Sequence, residues 1–277
     1  MAKQRKQSKS RRRRRRNSRG GAPAVLVLLC LVVAAAAILT AMTIFFKVRS
    51  ITLSGETRYS AQEVAEASGL REGDNLILFN KFRAINSIFD ACPYLHTVQM
   101  RRRLPDRVEI LVTECVPVAV IEDEPAMTPD PKDKNKTVPI GGTGKWLIDI
   151  EGKLLEQVKE VPEGLCYLRG LTLKKPKIGK YANFSDEDLQ KPAFLLLNTA
   201  KDNDILPDIG EVDFSEPYNI RFTYTNRFTV AIGSTEELEK KIRYLRLITE
   251  EKLGANVRGL IDVSDTQKAR FVPAANE

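Results

Sequence analysis

Histidine is nearly missing from this 277-residue chain: His96 stands alone. One imidazole excludes a His-paired zinc motif and leaves at most a single Ser-His arrangement. Placed just before an alternating apolar stretch, His96 reads as a surface or packing residue. Cysteine is scarce too, four in all, and no Cys-x-x-Cys spacing occurs. Cys30 lies in an apolar run. Cys92, Cys115 and Cys166 remain, an odd number that rules out a disulfide scaffold and favours buried free thiols over a Cys92–Cys115 bridge. Outside the apolar run there is no Ser-x-x-Lys motif, which argues against a penicillin-binding transpeptidase. "GGTGKW" only imitates a phosphate loop, because Pro139 replaces the first glycine and Trp146 the Ser or Thr. Asp202 and Asp204 are the nearest approach to a nucleotide-sugar metal pair and read as solvated residues at a helix end. No constellation supports catalysis, a cofactor or a metal.

Acidic residues are absent before Glu56, whereas Met1–Gly21 holds eleven of the 44 basic residues. The rest of the chain then carries 33 basic against 36 acidic residues. A nucleic-acid-binding fold spreads basic charge over its folded surface, so this placement argues against nucleic acid as a partner. Uncharged residues run from Ala24 to Phe46, long enough as a helix to cross a hydrocarbon core of about 30 Å. The Ala-x-Ala triplets of Ala34–Ala37 lie in mid-run rather than at its end, which favours an uncleaved anchor over a signal peptide. Arg11, Arg12, Arg13, Arg14, Arg15 and Arg16 then become topology determinants: flanking basic residues are retained in the cytoplasm, and only Lys47 and Arg49 oppose them. The tail also suits anionic lipid headgroups, at about 1 kcal/mol per basic residue near the surface.

Lys47–Glu114 reads as a β-α-α-β-β unit. "KVRSITLSG" offers a strand through Val48, Ile51 and Leu53. "YSAQEVAEASGL" opens with a capping box, Ser60 and Glu63, and stops near Gly69. "NKFRAINSIFDACPYL" starts a helix at Asn80 with Phe82, Ile85, Ile88 and Phe89 as its inward stripe. "HTVQMRRRLPDRVEILVTE" is a hairpin turning at "LPDR", with Val98, Met100 and Arg102 on one arm and Val108, Ile110 and Val112 on the other. Two helices on one face of three strands leave the other face to solvent or a partner.

The stretches "VRSITLSGETRYSAQEVAEASGLREGDNLILFN" and "CPYLHTVQMRRRLPDRVEILVTECVPVAVI", directly after a basic tail and an anchor, resemble the POTRA domain of the FtsQ/DivIB family of bacterial cell-division proteins. Barrel-forming POTRA proteins differ, as no series of barrel-length alternating segments follows. The resemblance implies an α+β chain: a tail at 1–23, a transmembrane helix at 24–46, a POTRA domain at 47–115, a mostly antiparallel β domain with flanking helices at 116–263, and an edge strand and tail at 264–277. Glu122–Lys145, rich in Pro, Gly and charge, is expected as a mobile loop. "WLIDIEGKLLE" then gives two strands around Glu151-Gly152, with Trp146 as a core anchor. A helix opens at Ser185, with Pro192 shortening or bending it. Strands follow in "GEVDFS", "YNIRFTYTNRFTVAIG", turning at Thr225-Asn226, and "GLIDVS". A helix boxed by Ser234 and Glu237 carries the stripe Leu238, Ile242, Leu245 and Ile248 and stops at Gly254.

By resemblance the protein is non-enzymatic and single-pass, with its N-terminus cytoplasmic and its domains outside, enriched at the division septum. Its implied partners are FtsL-type and FtsB/DivIC-type single-pass proteins. An envelope enzyme acting on peptidoglycan and a general POTRA chaperone or secretion factor are the rival readings. The resemblance further implies partner docking by strand addition at the C-terminal edge. "TQKARFVP" would place Phe271 as an apolar anchor, and Lys268 and Arg270 as contacts for acidic residues.

Overall fold

The computed structural model describes residues 21–129, 137–254 and 256–274. The arginine run Arg11–Arg16 lies outside the described residues. Helix α1, Gly21–Phe45, is uncharged throughout, and Val25–Phe45 is long and apolar enough to cross a membrane, with none of its residues buried by the rest of the protein.

The unit that follows is α+β. Strand β1 (Ser50–Ser54) precedes helices α2 (Ala61–Ala67) and α3 (Lys81–Ala91), and then β2 (Leu95–Arg103) and β3 (Arg107–Glu114) form a hairpin. The sheet order is β1-β3-β2, with β1 parallel to β3. Local signals worked as chemistry requires: Ser60 Oγ accepts from the Glu63 amide, the Glu63 carboxylate accepts from the Ser60 amide, and Asn80 caps α3. Val64, Ile88, Met100 and Ile110 meet in the core.

The stripe of α3 is rotated from expectation. Ala84 and Ile88 are buried and Ile85 and Phe89 half-buried, but Phe82 is 77% exposed. Leu76 and Phe79 supply the apolar surface of the core near the start of α3, so Phe82 is not needed there. Ile88→Ala should therefore cost about 2–5 kcal/mol in urea denaturation, while Phe82→Ala should stay within about 0.5 kcal/mol. Equal losses at the two positions would contradict this packing.

Beyond residue 115, nine strands among the described residues form one sheet in the order β12-β11-β10-β9-β8-β7-β4-β5-β6. They are β4 (Pro117–Pro129), β5 (Thr137–Asp149), β6 (Leu154–Val158), β7 (Cys166–Leu171), β8 (Ile209–Asp213), β9 (Ile220–Tyr224), β10 (Phe228–Gly233), β11 (Gly259–Asp262) and β12 (Arg270–Pro273). Helices α4 (Gln190–Asp202) and α5 (Leu238–Leu247) cross between the parallel pairs β7/β8 and β10/β11 and share one core with the sheet. Trp146 is buried there, as is the whole stripe Leu238, Ile242, Leu245 and Ile248. Thr225 and Asn226 both take positive φ, 51° and 56°, as a two-residue hairpin turn requires.

Three local expectations need correction. The mobile loop expected at 122–145 is instead paired strand wherever it is described: β4 and β5 run antiparallel from Pro117↔Asp149 to Pro129↔Thr137. Pro125 is accommodated at a register shift facing Gly141, and a Cβ on neighbouring Gly142 would lie 2.9 Å from the proline ring. The buried Asp123 carboxylate holds the hairpin by accepting from the Thr143 amide and hydroxyl and from the Leu173 amide. The helix expected from Ser185 begins as a 3₁₀ turn capped by Asp186, and Pro192 falls harmlessly in the first turn of α4. The Ser234–Glu237 box does not form: Glu237 sits at φ 49° with no side-chain cap, and its carboxylate accepts from Thr266 Oγ1 at 2.7 Å.

Candidate functional site

Strand β12 is one end of the sheet and pairs antiparallel with β11 through Gly259↔Pro273 to Asp262↔Arg270. Gly259 permits this pairing, since a Cβ there would stand 2.2 Å from the Val272 carbonyl oxygen. The Ala274 amide donates to the Arg258 carbonyl at 2.9 Å. By the alternation of an antiparallel ladder, Phe271 and Pro273 therefore turn their backbone groups to the open edge. Proline fits an edge because it presents no donor there.

Beside this edge, β12 and α5 enclose a groove of about 380 Å³ lined by Tyr244, Leu247, Ile248, Leu253, Ala269 and Phe271. Leu247, in its lining, is exposed, and Lys268, Arg270 and Val272 are exposed along the same segment. Phe271 is only half-exposed, and its ring meets Phe228 edge-on at 6.3 Å. It is part of the sheet's packing as well as a wall of the groove, so Phe271→Asp would disturb the strand itself and is not a clean probe of docking.

A second cluster joins the sheet to the preceding α+β unit. Tyr94 and Cys115 pack on Val120, Leu147 and Leu155, the face of β4–β6 opposite α4 and α5. Lys153, buried, donates from Nζ to the Leu95 carbonyl at 2.7 Å and lies 5.1 Å from the Phe89 ring centre. The Asp149 carboxylate accepts from the backbone amides of Glu151 and Lys153. Cys115 is pushed up to about 12, first by burial and then by its hydrogen bond to Asp149.

Ligand atoms of His96, Cys115 and Asp149 lie within 4.8 Å of one another, beside a cavity of about 580 Å³. The chemistry of this set favours a hydrogen-bonded joint. The thiol keeps its proton at neutral pH, Asp149 is already engaged by two amides, and the Lys153 charge acts on the same thiol. His96 itself is exposed, 3.8 Å from Glu151. Cys92, Cys115 and Cys166 are all buried free thiols. Asp202 and Asp204 are exposed at the end of α4.

Residues 46–114 match the family described as POTRA domain, FtsQ-type. Similarity extends well past that unit. The chain is 27% identical to Cell division protein DivIB of Clostridium botulinum over 79% of each chain. It is 24% identical to Cell division protein FtsQ of Geotalea daltonii, over 83% of this chain and 77% of that one. Its relatives are the DivIB/FtsQ cell-division proteins. A shorter match to Cell division protein FtsQ of Myxococcus fulvus, 36% identical over 75 residues, covers 27% of this chain and 26% of that one. The chain, similar to these DivIB and FtsQ proteins over most of its length, thus joins one apolar helix, a POTRA domain and a large β sheet.

Sequence reasoning missed the joint of this FtsQ-type POTRA domain. The available signal was Lys153, a basic residue among Asp149, Glu151 and Glu156, directly before the apolar pair Leu154-Leu155. Asp149 is held locally by the Glu151 and Lys153 amides, but the Lys153 ammonium finds its partner, the Leu95 carbonyl, on an element far away in sequence.

Proposed function

We propose that this chain is a non-enzymatic, membrane-anchored component of the bacterial division machinery that captures single-pass partners at the β12 edge. Helix α1 spans the cell membrane once, the basic tail remains cytoplasmic on anionic lipid, and the POTRA domain and sheet lie outside at the septum. An FtsB/DivIC-type partner adds a strand to β12, and an FtsL-type partner joins the same assembly, which helps organise septal peptidoglycan synthesis. The observation that carries this reading is the open, four-residue edge strand beside a groove whose apolar residues are interspersed with Lys252, Thr266 and Gln267. Backbone groups of Phe271 and Pro273 would supply affinity, the groove would take apolar side chains, and Lys268 and Arg270 would select acidic neighbours. Those same charges guard the free edge against self-pairing. The names of the relatives support the division role.

Lys268→Glu with Arg270→Glu tests the docking, because both side chains are exposed and neither supports the core. Co-purification and titration with the FtsB/DivIC-type partner should show a loss of about tenfold or more in affinity, with the thermal transition unchanged. Undiminished capture would move the site away from β12. Orientation is tested separately, by a reporter fused after Glu277 in a chain with Arg11–Arg16 neutralised. Mixed orientation is expected, because Lys47 and Arg49 then compete less unequally; wholly unchanged orientation would show that the run does not set topology.

A further inference from the structure

The POTRA unit exposes three large apolar side chains among its described residues: Leu78 at 73%, Phe82 at 77% and Leu104 at 65%. Leu78 and Phe82 are neighbours on one turn and Leu104 is distant from both in sequence, yet hydrogen bonds bring the two segments to one end of the fold. That end is where α1 leaves off.

Asn75 makes the connection. Its Nδ2 donates to the Met42 carbonyl near the end of α1 at 3.2 Å, while its Oδ1 accepts from the amides of Ile77 and Leu78. The Leu76 amide donates to the Phe46 carbonyl at 2.8 Å. One side chain therefore fixes the turn bearing Leu78 against the helix exit, and Phe82 follows in the first turn of α3. On the other side, the Arg49 amide donates to the Asp106 carbonyl at 2.8 Å, which brings the β2–β3 turn holding Leu104 to the same level. The Arg102 guanidinium ties the two flanks together, donating to the Phe79 carbonyl and covering the Phe79 ring.

Basic side chains surround these three positions: Lys81 and Arg83 beside Phe82, Arg103 and Arg107 beside Leu104, and Arg49 at the helix exit. The acidic residues at the β2–β3 turn are already paired, Asp106 with Arg49 and Arg107 and Glu109 with Arg103. Apolar tips separated by basic groups, arranged around a membrane-crossing helix, match the chemistry of the lipid interface. There guanidinium and ammonium groups meet headgroup phosphates while Leu and Phe reach the acyl boundary. A protein partner would instead call for a contiguous apolar surface, whereas here basic side chains flank each of the three apolar tips.

We propose that this end of the POTRA domain is seated on the outer surface of the bilayer, with Leu78, Phe82 and Leu104 inserted beside α1. The seat holds the domain at a set tilt at the membrane. It rests on the reading of α1 as a membrane span.

The test is carried out with the full chain in phosphatidylcholine–phosphatidylglycerol vesicles, with and without bromine on the acyl chains. Single substitutions Leu78→Trp, Phe82→Trp and Leu104→Trp place a fluorophore at each tip. The native Trp146, buried in the sheet, supplies a constant background measured in the unmodified protein. Val116→Trp, exposed beyond the opposite end of β3, is the dry-side control, and Ile38→Trp reports the span. Insertion to about 5–10 Å should make bromine quenching at the three tips at least about twofold stronger than at Val116→Trp. If Ile38→Trp is quenched and the tips are not, the seat is wrong while the span stands. If Ile38→Trp is itself unquenched, the span and the seat both fall.

Discussion

Gly259→Ala should strip β12 from the sheet while the rest of the protein stays folded. The added Cβ would stand 2.2 Å from the Val272 carbonyl oxygen and 3.0 Å from the Ala274 amide nitrogen. Both are backbone atoms of the edge segment, so no side-chain rotation relieves the clash. Only four residues hold β12 in place, with Phe271 on Phe228 as its main anchor, a contact worth about 0.5–1.5 kcal/mol beyond burial. The response is therefore local: hydrogen exchange at the Ala274 amide should speed up by about tenfold or more, while global stability falls by about 1–2 kcal/mol. Partner capture should be lost along with the strand. This separates the variant from Lys268→Glu with Arg270→Glu, in which the strand persists and only selection changes. Unaltered exchange at Ala274 would mean that β11 and β12 tolerate a side chain at this crossing.

Lys153→Ala should cost about 2–4 kcal/mol, because it leaves the Leu95 carbonyl without its donor and opens a void beneath Phe89. Lys153→Met keeps most of the volume and loses only the polar contacts, so it should cost about 1–2 kcal/mol. The ordering matters more than either figure. Lys153 joins β6 to β2 across the face where Tyr94 and Cys115 pack, so the loss should also loosen the POTRA unit from the sheet. Chemical denaturation of the full chain checks both points: the alanine variant should broaden or split the transition, and the methionine variant should shift it. A loss below about 0.5 kcal/mol for Lys153→Ala would show that the ammonium is merely stored there.

Where a signal is contained within a few residues, the structure followed the sequence. The Ser60–Glu63 box, the Asn80 cap and the Thr225-Asn226 turn each need only neighbours three or fewer positions away. The box at Ser234 and Glu237 has the same letters and fails, because Thr266, 29 residues on, takes the glutamate. Composition misled across 122–145 for a related reason: proline, glycine and charge read as loop, but Asp123 finds Thr143 and Leu173, and the ladder closes around Pro125. At the candidate docking edge, alternation in "KARFVP" sets Phe271 apart from Lys268 and Arg270, although β12 itself begins only at Arg270. It was silent on Phe228, whose ring makes Phe271 a packing residue.

Composition and periodicity by themselves determined one apolar helix behind a basic tail, a β-α-α-β-β unit and a strand-rich remainder. These depend on charge placement, helix and strand periods, and caps, all of which act over short separations. Only the tertiary structure decided which face of α3 is inward, that 122–129 and 137–145 are strand, how Lys153 reaches from the sheet to the POTRA domain, and that the turns bearing Leu78 and Leu104 are hydrogen-bonded to the segment where α1 ends. Each of those is a contact between groups distant along the chain, and burial is decided by what the fold brings opposite a side chain, which the side chain's own neighbours do not encode.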